Sequence, residues 1–261
     1  MISWDSFLYF AMPAIVLWVV AIVLILLKKP SRWYQAFALA GILIFLGYVV
    51  LYWISVQRPP MRTMGETRLW FSLFISVIGY ITFKVWRYQY IYAFYLLLAI
   101  VFTFINILKP EIHSKGLMPA LQSYWFIRHV TAYILSYAML GAATIMAIII
   151  LVKKEIDNER LLLSMDKMVY IGFGLIILGM LMGAVWAKDA WGHYWSWDPK
   201  ETWAFITVCA YLIYIHLRLQ PNRAQLSAWM LILAFVLLMV TWKGVNYLPS
   251  AQNSIHIYSK Q

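Results

Sequence analysis

Tryptophans are concentrated in one short stretch of this chain. The sequence WGHYWSWDPKETW, residues 191–203, together with Trp186 places five of the fourteen tryptophans within eighteen residues. Indole rings are typical of membrane interfaces, but a belt usually contributes only about one or two of them per helix end. The stretch therefore predicts either an unusually dense belt or a shelf on which a large, flat, apolar ligand stacks. The residues in question are Trp186, Trp191, Trp195, Trp197 and Trp203.

Two acidic residues, Asp198 and Glu201, interrupt the aromatic stretch. Both residue types can act as catalytic acids. Their spacing is also that of a helix start, with Asp198 as N-cap, Pro199 at the first helical position and Glu201 completing a capping box. We expect capping to be their main role, which would fix the loop to the helix that follows.

Three of the five histidines lie in contexts that could hold a metal. His129 occurs in SYWFIRHVTAY, His216 in YLIYIHLRL and His256 in the tail sequence NSIHIYSKQ. Neutral imidazole is a good iron ligand, and haem iron has two axial positions. Each could instead be a hydrogen-bonded or solvated histidine. We expect His113 and His193 to be solvated loop residues.

The composition defines the elements that must position these residues. The chain has 261 residues, of which 64% are hydrophobic and 12% charged, whereas a soluble domain is about 25% charged. A membrane-spanning helix needs about 20 apolar residues. We predict an all-α, polytopic helical bundle, one integral membrane domain over 1–261 whose residues 186–203 form an external loop. The eight predicted spans are 7–27, 33–55, 69–86, 88–108, 124–152, 167–187, 199–219 and 224–245.

The first basic residues place the N-terminus outside. No Lys or Arg precedes the first apolar run, and Lys28, Lys29 and Arg32 follow it, so we expect no cleavable signal peptide. Because two spans separate the Trp-rich loop from the start of the fifth helix and from the tail, all three share the outer face. We expect this arrangement in the cell (inner) membrane.

This topology brings His129 and His256 to the same face as the tryptophans. His216 lies eighteen residues beyond Asp198, about 27 Å along a helix, and therefore near the opposite face. Haem is flat and apolar and carries anionic propionates, which Arg128 could meet. The pattern predicts haem at the outer face, with His129 and His256 flanking the shelf.

Composition also argues against other functions. The single cysteine, Cys209, cannot form an internal disulfide or a CxxC redox pair. The net charge of +11 fits anionic membrane lipid as a partner, and no basic arm or groove motif indicates a nucleic acid.

The motifs resemble a known family. WGHYWSWDPKETWAFIT followed by YLIYIHLRL is similar to the "WWD" signature of haem-handling proteins, and the Asp-Pro-Lys-Glu-Thr-Trp form is similar to the CcsA/ResC branch of system II cytochrome c biogenesis. MPALQSYWFIRHV around His129, WKGVNYL and RPPMRTMGETRLWF support the resemblance.

The resemblance implies two haem sites. His129 and His256 would be the external axial pair beside the loop, which includes Trp203 and Asp198. His216 would ligate a haem within the membrane, with its second ligand supplied by a separate CcsB/ResB-like partner. The cargo would be haem b and the acceptor an apocytochrome c with CxxCH. The chain would be an enzyme only as a subunit of a cytochrome c synthetase.

Three alternatives remain open on the residues alone. A system I protein of the CcmC type would deliver haem to a chaperone, although Asp-Pro-Lys-Glu-Thr-Trp argues against it. A membrane transporter would predict charged residues at mid-membrane, of which very few are present. A structural subunit would tolerate replacement of His129 and His256.

Overall fold

A computed structural model describes residues 2–61, 63–110, 123–154, 158–242 and 244–249. The described residues form eight α-helices and two short 3-10 helices, Trp4–Ser6 and Gly244–Tyr247. Each predicted span corresponds to one helix, which confirms the all-α polytopic fold. The helices are α1 Phe7–Leu26, α2 Ser31–Val56, α3 Met64–Trp86, α4 Gln89–Leu108, α5 Tyr124–Lys153, α6 Glu159–Trp191, α7 Pro199–Arg218 and α8 Ala224–Trp242.

Seven of these helices are long and apolar enough to cross a membrane. The exception by composition is α7, whose first turn carries Lys200 and Glu201 and whose last turn carries His216 and Arg218. α3 has the lowest mean hydropathy of the seven, 1.6. It is also the helix whose apolar run is shortest in sequence.

Two helices begin earlier than their apolar runs predict. α3 begins at Met64 rather than residue 69, because Thr63 and Glu66 form a capping box. α6 begins at Glu159 rather than residue 167, because the Asn158 side chain accepts a hydrogen bond from the Leu161 amide. Local side-chain caps can extend a helix through charged turns that an apolar window excludes.

The chain divides into two compact units, Met1–Gln122 and Ser123–Gln261. In the first unit, α1 packs on α2 and α4, and α3 packs on the same two helices. This is a closed four-helix bundle. Large aromatic side chains fill its core, including the fully buried Trp18, Phe45, Tyr48, Tyr92 and Tyr95. A single integral membrane domain over 1–261 stays a prediction.

The second unit has the same order of packing. α5 packs on α6 and α8, and α7 packs on α6 and α8, with α5 against α6 as the most extensive pair. Three glycines of α6 make that pair close: Gly172 faces Leu140, Gly179 faces Tyr133 and Gly183 faces His129. Small residues let helix backbones approach within a membrane. Both the α5 start and the α6 end therefore lie at one end of this unit.

Candidate functional site

His129 is held by two glycines of the neighbouring helix. Its ring occupies the space beside Gly183, where an added Cβ would lie 2.6 Å from Nδ1. Nδ1 lies 2.7 Å from the carbonyl oxygen of Gly179. Because a carbonyl can only accept, Nδ1 donates this hydrogen bond. The neutral ring then carries its lone pair on Nε2.

This arrangement is the one that metal-binding histidines use. Such a histidine usually donates its other ring N–H to a carbonyl or carboxylate, which fixes the tautomer and the orientation of the ring. The Gly179 carbonyl performs that task for His129. In its tautomer and its fixed orientation, His129 therefore resembles a metal-binding histidine.

Aromatic rings surround His129. Tyr133 lies one turn along α5, with 4.3 Å between ring centroids. Trp186 stacks on the imidazole at 5.8 Å and 25° and contacts Phe126 and Trp191 at 5.1 and 4.7 Å. Only 4% of Trp186 is exposed. Its indole thus packs against the histidine instead of offering an open surface.

The exposed aromatic surface lies in the loop after α6. Trp197 is 62% exposed and adopts a left-handed backbone conformation with φ 57°. Its ring meets Trp195 edge-to-face at 5.7 Å and Phe205 at 5.8 Å. Trp191 and Trp203 are half-buried at the two ends of the loop. These rings, rather than Trp186, are accessible to a stacking ligand.

The predicted capping box is confirmed. Asp198 caps α7, Pro199 begins it, and the Glu201 carboxylate accepts a hydrogen bond from the Asp198 amide at 3.2 Å. The same carboxylate accepts bonds from the Ser196 amide at 2.7 Å and the Ser196 hydroxyl at 3.2 Å. Thr202 adds a bond to the Trp197 carbonyl at 3.1 Å. Residues 196–198 are thereby tied to the start of α7.

Two cations lie at the same end of the unit. The guanidinium of Arg128 lies 3.8 Å from the Tyr124 ring centroid and 5.0 Å from that of Trp125. Lys188 donates a hydrogen bond to the Gly192 carbonyl at 2.7 Å and lies over Tyr194. Both contacts leave positive charge beside aromatic rings, where an anionic group could be paired.

His216 occupies a different position, two residues before the end of α7. Its Nδ1 lies 2.8 Å from the Leu212 carbonyl, so Nδ1 again donates and the lone pair is on Nε2. The side chain is exposed. His216 and His129 lie toward opposite ends of their helices, as the spacing along the chain predicted.

An ion pair between a buried carboxylate and a half-buried guanidinium lies next to His216. Arg218 pairs with both carboxylate oxygens of Asp166, at 2.9 Å from Nη2 and 2.9 Å from Nε. The Tyr214 hydroxyl donates to the same carboxylate at 2.6 Å. Residues 214 and 218 share one side of the helix, so the pair holds that side to α6 while His216 points away from it.

The tail histidine lies outside the described residues. His256 and also His113 fall in segments about which the structure says nothing. The chain after α8 is described to Pro249; its 3-10 helix contacts α8 and α7, and Val245 is fully buried. His193 is exposed in the loop, as expected of a solvated residue.

Sequence reasoning missed the residues that hold His129. Gly179 and Gly183 form a GxxxG pattern within the apolar helix α6, and this pattern is a known signal for close helix contact. Asp166 was also missed, because the apolar window placed it outside the sixth span. A buried aspartate in a spanning helix requires a partner, and Arg218 is that partner.

The fold and the site define a class: a multi-pass helical membrane protein with a histidine beside a tryptophan-rich loop. The model of the cytochrome c assembly protein family matches residues 4–251. The chain therefore belongs to this family, and its curated relatives at 31–32% identity are CcsA proteins. It is a membrane protein of cytochrome c biogenesis.

Curated relatives support this assignment over most of the chain. The cytochrome c biogenesis protein CcsA of Lemna minor is 31% identical, covering 80% of this chain and 82% of the relative. The CcsA proteins of Heterosigma akashiwo and Solanum bulbocastanum are each 32% identical, covering 79% and 77% of this chain and 80% and 78% of those relatives.

A solved structure supports the fold. The cytochrome c heme lyase CcmF superimposes with a TM-score of 0.68 at 18% identity, covering 92% of this chain and 46% of the CcmF chain. At this identity the likeness concerns the helical architecture. The chain spans under half of that structure's length.

Proposed function

We propose that this chain carries haem b and presents it at the outer face of the cell membrane for covalent attachment to an apocytochrome c. The observation that supports this most directly is His129, whose Nδ1 donates to the Gly179 carbonyl and whose ring stacks on Trp186. A fixed neutral imidazole in aromatic surroundings beside the membrane is suited to haem iron.

The outer site would use two histidines and the exposed rings of the loop. His129 and His256 would be the axial ligands of the iron. Trp191, Trp195, Trp197 and Trp203 would stack on the macrocycle, and Arg128 would pair with a propionate. Trp186 and Asp198 would act indirectly, by holding the imidazole and the loop in place.

The inner site would use His216. The histidine is exposed near the end of α7, and its Nδ1 donates to a backbone carbonyl as that of His129 does. Haem would arrive there from the cytoplasmic side, with a second ligand from a CcsB/ResB-like partner chain. The N-terminus, the Trp-rich loop and the tail would lie on the outer side.

The attachment step requires positioning more than acid–base catalysis. Each cysteine of a CxxCH motif adds its S–H across the double bond of one haem vinyl group. This addition is redox-neutral and needs no added oxidant. Holding the vinyl groups beside the thiols raises their effective concentration. The capped, aromatic loop supplies a rigid surface for that purpose. With its partner, the chain would act as a subunit of a cytochrome c synthetase.

Visible absorption spectra of the chain, purified with its partner, test the proposal. We expect a Soret band and sharp reduced α and β bands, with the outer-site component lost in His129→Ala. His216→Ala should reduce a separate component. His193→Ala is the matched control, because His193 is an exposed histidine of the Trp-rich loop. Its spectrum should equal that of the wild type.

Identical spectra for His129→Ala and His193→Ala would refute the outer ligand assignment. A wild-type complex that contains no haem would instead favour a transporter or structural role. Membrane levels of each variant, measured by immunoblot, separate loss of haem from loss of protein.

A further inference from the structure

An open surface cavity of about 270 Å³ lies where α1 ends and α2 begins. Leu24, Lys29, Pro30, Trp33 and Phe37 line it. Its walls are therefore apolar except for one ammonium group. Trp33 is 52% exposed, which is typical of an indole at a membrane–water interface. The cavity lies at one end of the first unit, on helices that the haem proposal does not use.

The backbone of the turn holds this cavity in shape. Lys28 adopts a left-handed conformation with φ 53°, and its amide donates to the Ile25 carbonyl at 3.0 Å. The Lys29 amide donates to the Leu24 carbonyl, also at 3.0 Å. These two bonds form a Schellman motif. They place Lys29 directly beside the apolar wall.

The charges at this end of the unit are all positive among the described residues. Lys28, Lys29 and Arg32 belong to the α1–α2 turn, while Lys84 and Arg87 flank the α3 end. The two turns lie at the same end, because Tyr34 of α2 packs on Phe83 of α3 at 5.5 Å. The described acids of this unit, Asp5 and Glu66, lie at the starts of α1 and α3, which form the opposite end.

The corresponding end of the second unit differs. There the cations are accompanied by carboxylates: Glu159 lies in the first turn of α6, and Asp166 pairs with Arg218. At this end, the first unit thus differs from the second in having no carboxylate among its described residues. A general preference for basic residues on one side of the membrane does not require an apolar cavity beside the lysine.

We propose that this cavity binds an anionic phospholipid, with the phosphate against Lys29 and Arg32 and an acyl chain along Leu24 and Phe37. Arg32 is held nearby, with its guanidinium 5.6 Å from the Trp33 ring centroid. Basic pockets at the ends of spanning helices suit anionic headgroups. A small soluble anion would use the cations but would leave the apolar walls without a partner.

Native mass spectrometry of the detergent-solubilised protein tests this proposal. The probe is a membrane of phosphatidylglycerol and phosphatidylethanolamine, from which the wild type should retain one phosphatidylglycerol. Lys29→Ala with Arg32→Ala should lower the affinity about thirtyfold, because two cations are lost. Trp33→Ala removes part of the wall without changing the charge and should also lower retention.

The matched control is Lys153→Ala with Lys167→Ala, which removes two exposed cations from the second unit and should leave retention unchanged. Equal retention in all variants, or equal loss in the control, would overturn the proposal. Displacement of the lipid by inorganic phosphate alone would assign the site to small anions and would also overturn it. Helical circular dichroism confirms folding of each variant.

Discussion

At the scale of single residues, the orientation of His129 depends on the glycines of α6. Gly179 offers its carbonyl to Nδ1, and Gly183 leaves room for the ring. The tautomer of the imidazole is therefore set by backbone atoms of another helix. A substitution at either glycine would therefore change the orientation of the His129 ring while leaving the histidine itself in place.

Gly183→Ala tests this dependence. The added Cβ would lie 2.6 Å from Nδ1 and 2.8 Å from Cε1 of His129, so the ring must move and the bond to Gly179 must weaken. Loss of such a supporting contact typically weakens metal binding about tenfold or more. We expect a smaller Soret band from the outer site, measured by haem titration.

Gly174→Ala is the control for this prediction. It lies on the same helix, and a Cβ there would meet nothing within 4 Å. It should titrate like the wild type. If Gly183→Ala binds haem as well as Gly174→Ala does, the close packing of His129 against Gly183 is not needed for haem binding.

The part of the site that depends on local spacing could be predicted from the sequence. The part that depends on packing between helices could not. Asp198 and Glu201 were predictable because a capping box is completed within four residues. The contact from His129 to Gly179 spans 50 positions and depends on which face of α6 meets α5. Composition and the alternation of the spans predict that the start of α5 and the end of α6 lie on the same side of the membrane. They do not predict which face of α6 contacts α5.

At the scale of elements, the Trp-rich loop is held to the start of α7 mainly by one carboxylate. Glu201 accepts three hydrogen bonds from Ser196 and Asp198. Glu201→Ala would leave these donors without their acceptor, which costs about 1–3 kcal/mol in local stability. We expect faster hydrogen exchange at residues 192–198, measured by mass spectrometry.

Glu159→Ala provides the comparison. Glu159 is an exposed acid in the first turn of α6, so its loss should leave exchange in the loop unchanged. Unchanged exchange in Glu201→Ala would mean that the loop is held by other contacts. The hydrogen bond from Thr202 to the Trp197 carbonyl and the edge-to-face contact of Trp197 with Phe205 would then be the first candidates.

The ends of α6 and α7 are joined by the pair between Asp166 and Arg218. Only 7% of Asp166 is exposed, and Asp166→Ala would leave the half-buried Arg218 guanidinium without its partner, at a cost of about 1–3 kcal/mol. We expect a lower apparent Tm in detergent. Asp166→Leu combined with Arg218→Met should recover much of the loss, because it removes both charges.

An equally low Tm in the double variant would contradict this account. It would mean that the stability is lost through changed side-chain packing and not through the unpaired charge. The pair also explains why the sixth span was predicted too short. The charged residues around Asp166 indicate a loop when the sequence is taken alone. In the structure Asp166 pairs with Arg218 and accepts a hydrogen bond from Tyr214, and it lies within the helix.

At the scale of the whole molecule, alternation of the spans predicts which loops share a face. The chain offers a clean test because Cys209 is its only cysteine. In a Cys209→Ala background, Tyr194→Cys should react with a membrane-impermeant maleimide in intact cells. Ser31→Cys and Gln220→Cys should react only after permeabilisation.

Labelling of Ser31→Cys and Gln220→Cys but not of Tyr194→Cys in intact cells would show that the orientation is the reverse of the prediction. Labelling of both Tyr194→Cys and Ser31→Cys in intact cells would break the alternation itself. All three positions are exposed, so differences in reactivity report the side of the membrane. The sequence predicted each of the eight helices among the described residues, because apolar runs of spanning length are a strong signal.

Covalent cytochrome c formation in cells tests the central claim most directly. The chain would be co-produced with a CcsB/ResB-like partner and a CxxCH reporter, and haem attachment would be read by haem staining of a denaturing gel. We predict attachment in the wild type and in His193→Ala, and its loss in His129→Ala at equal membrane levels. Wild-type attachment in His129→Ala would contradict the account.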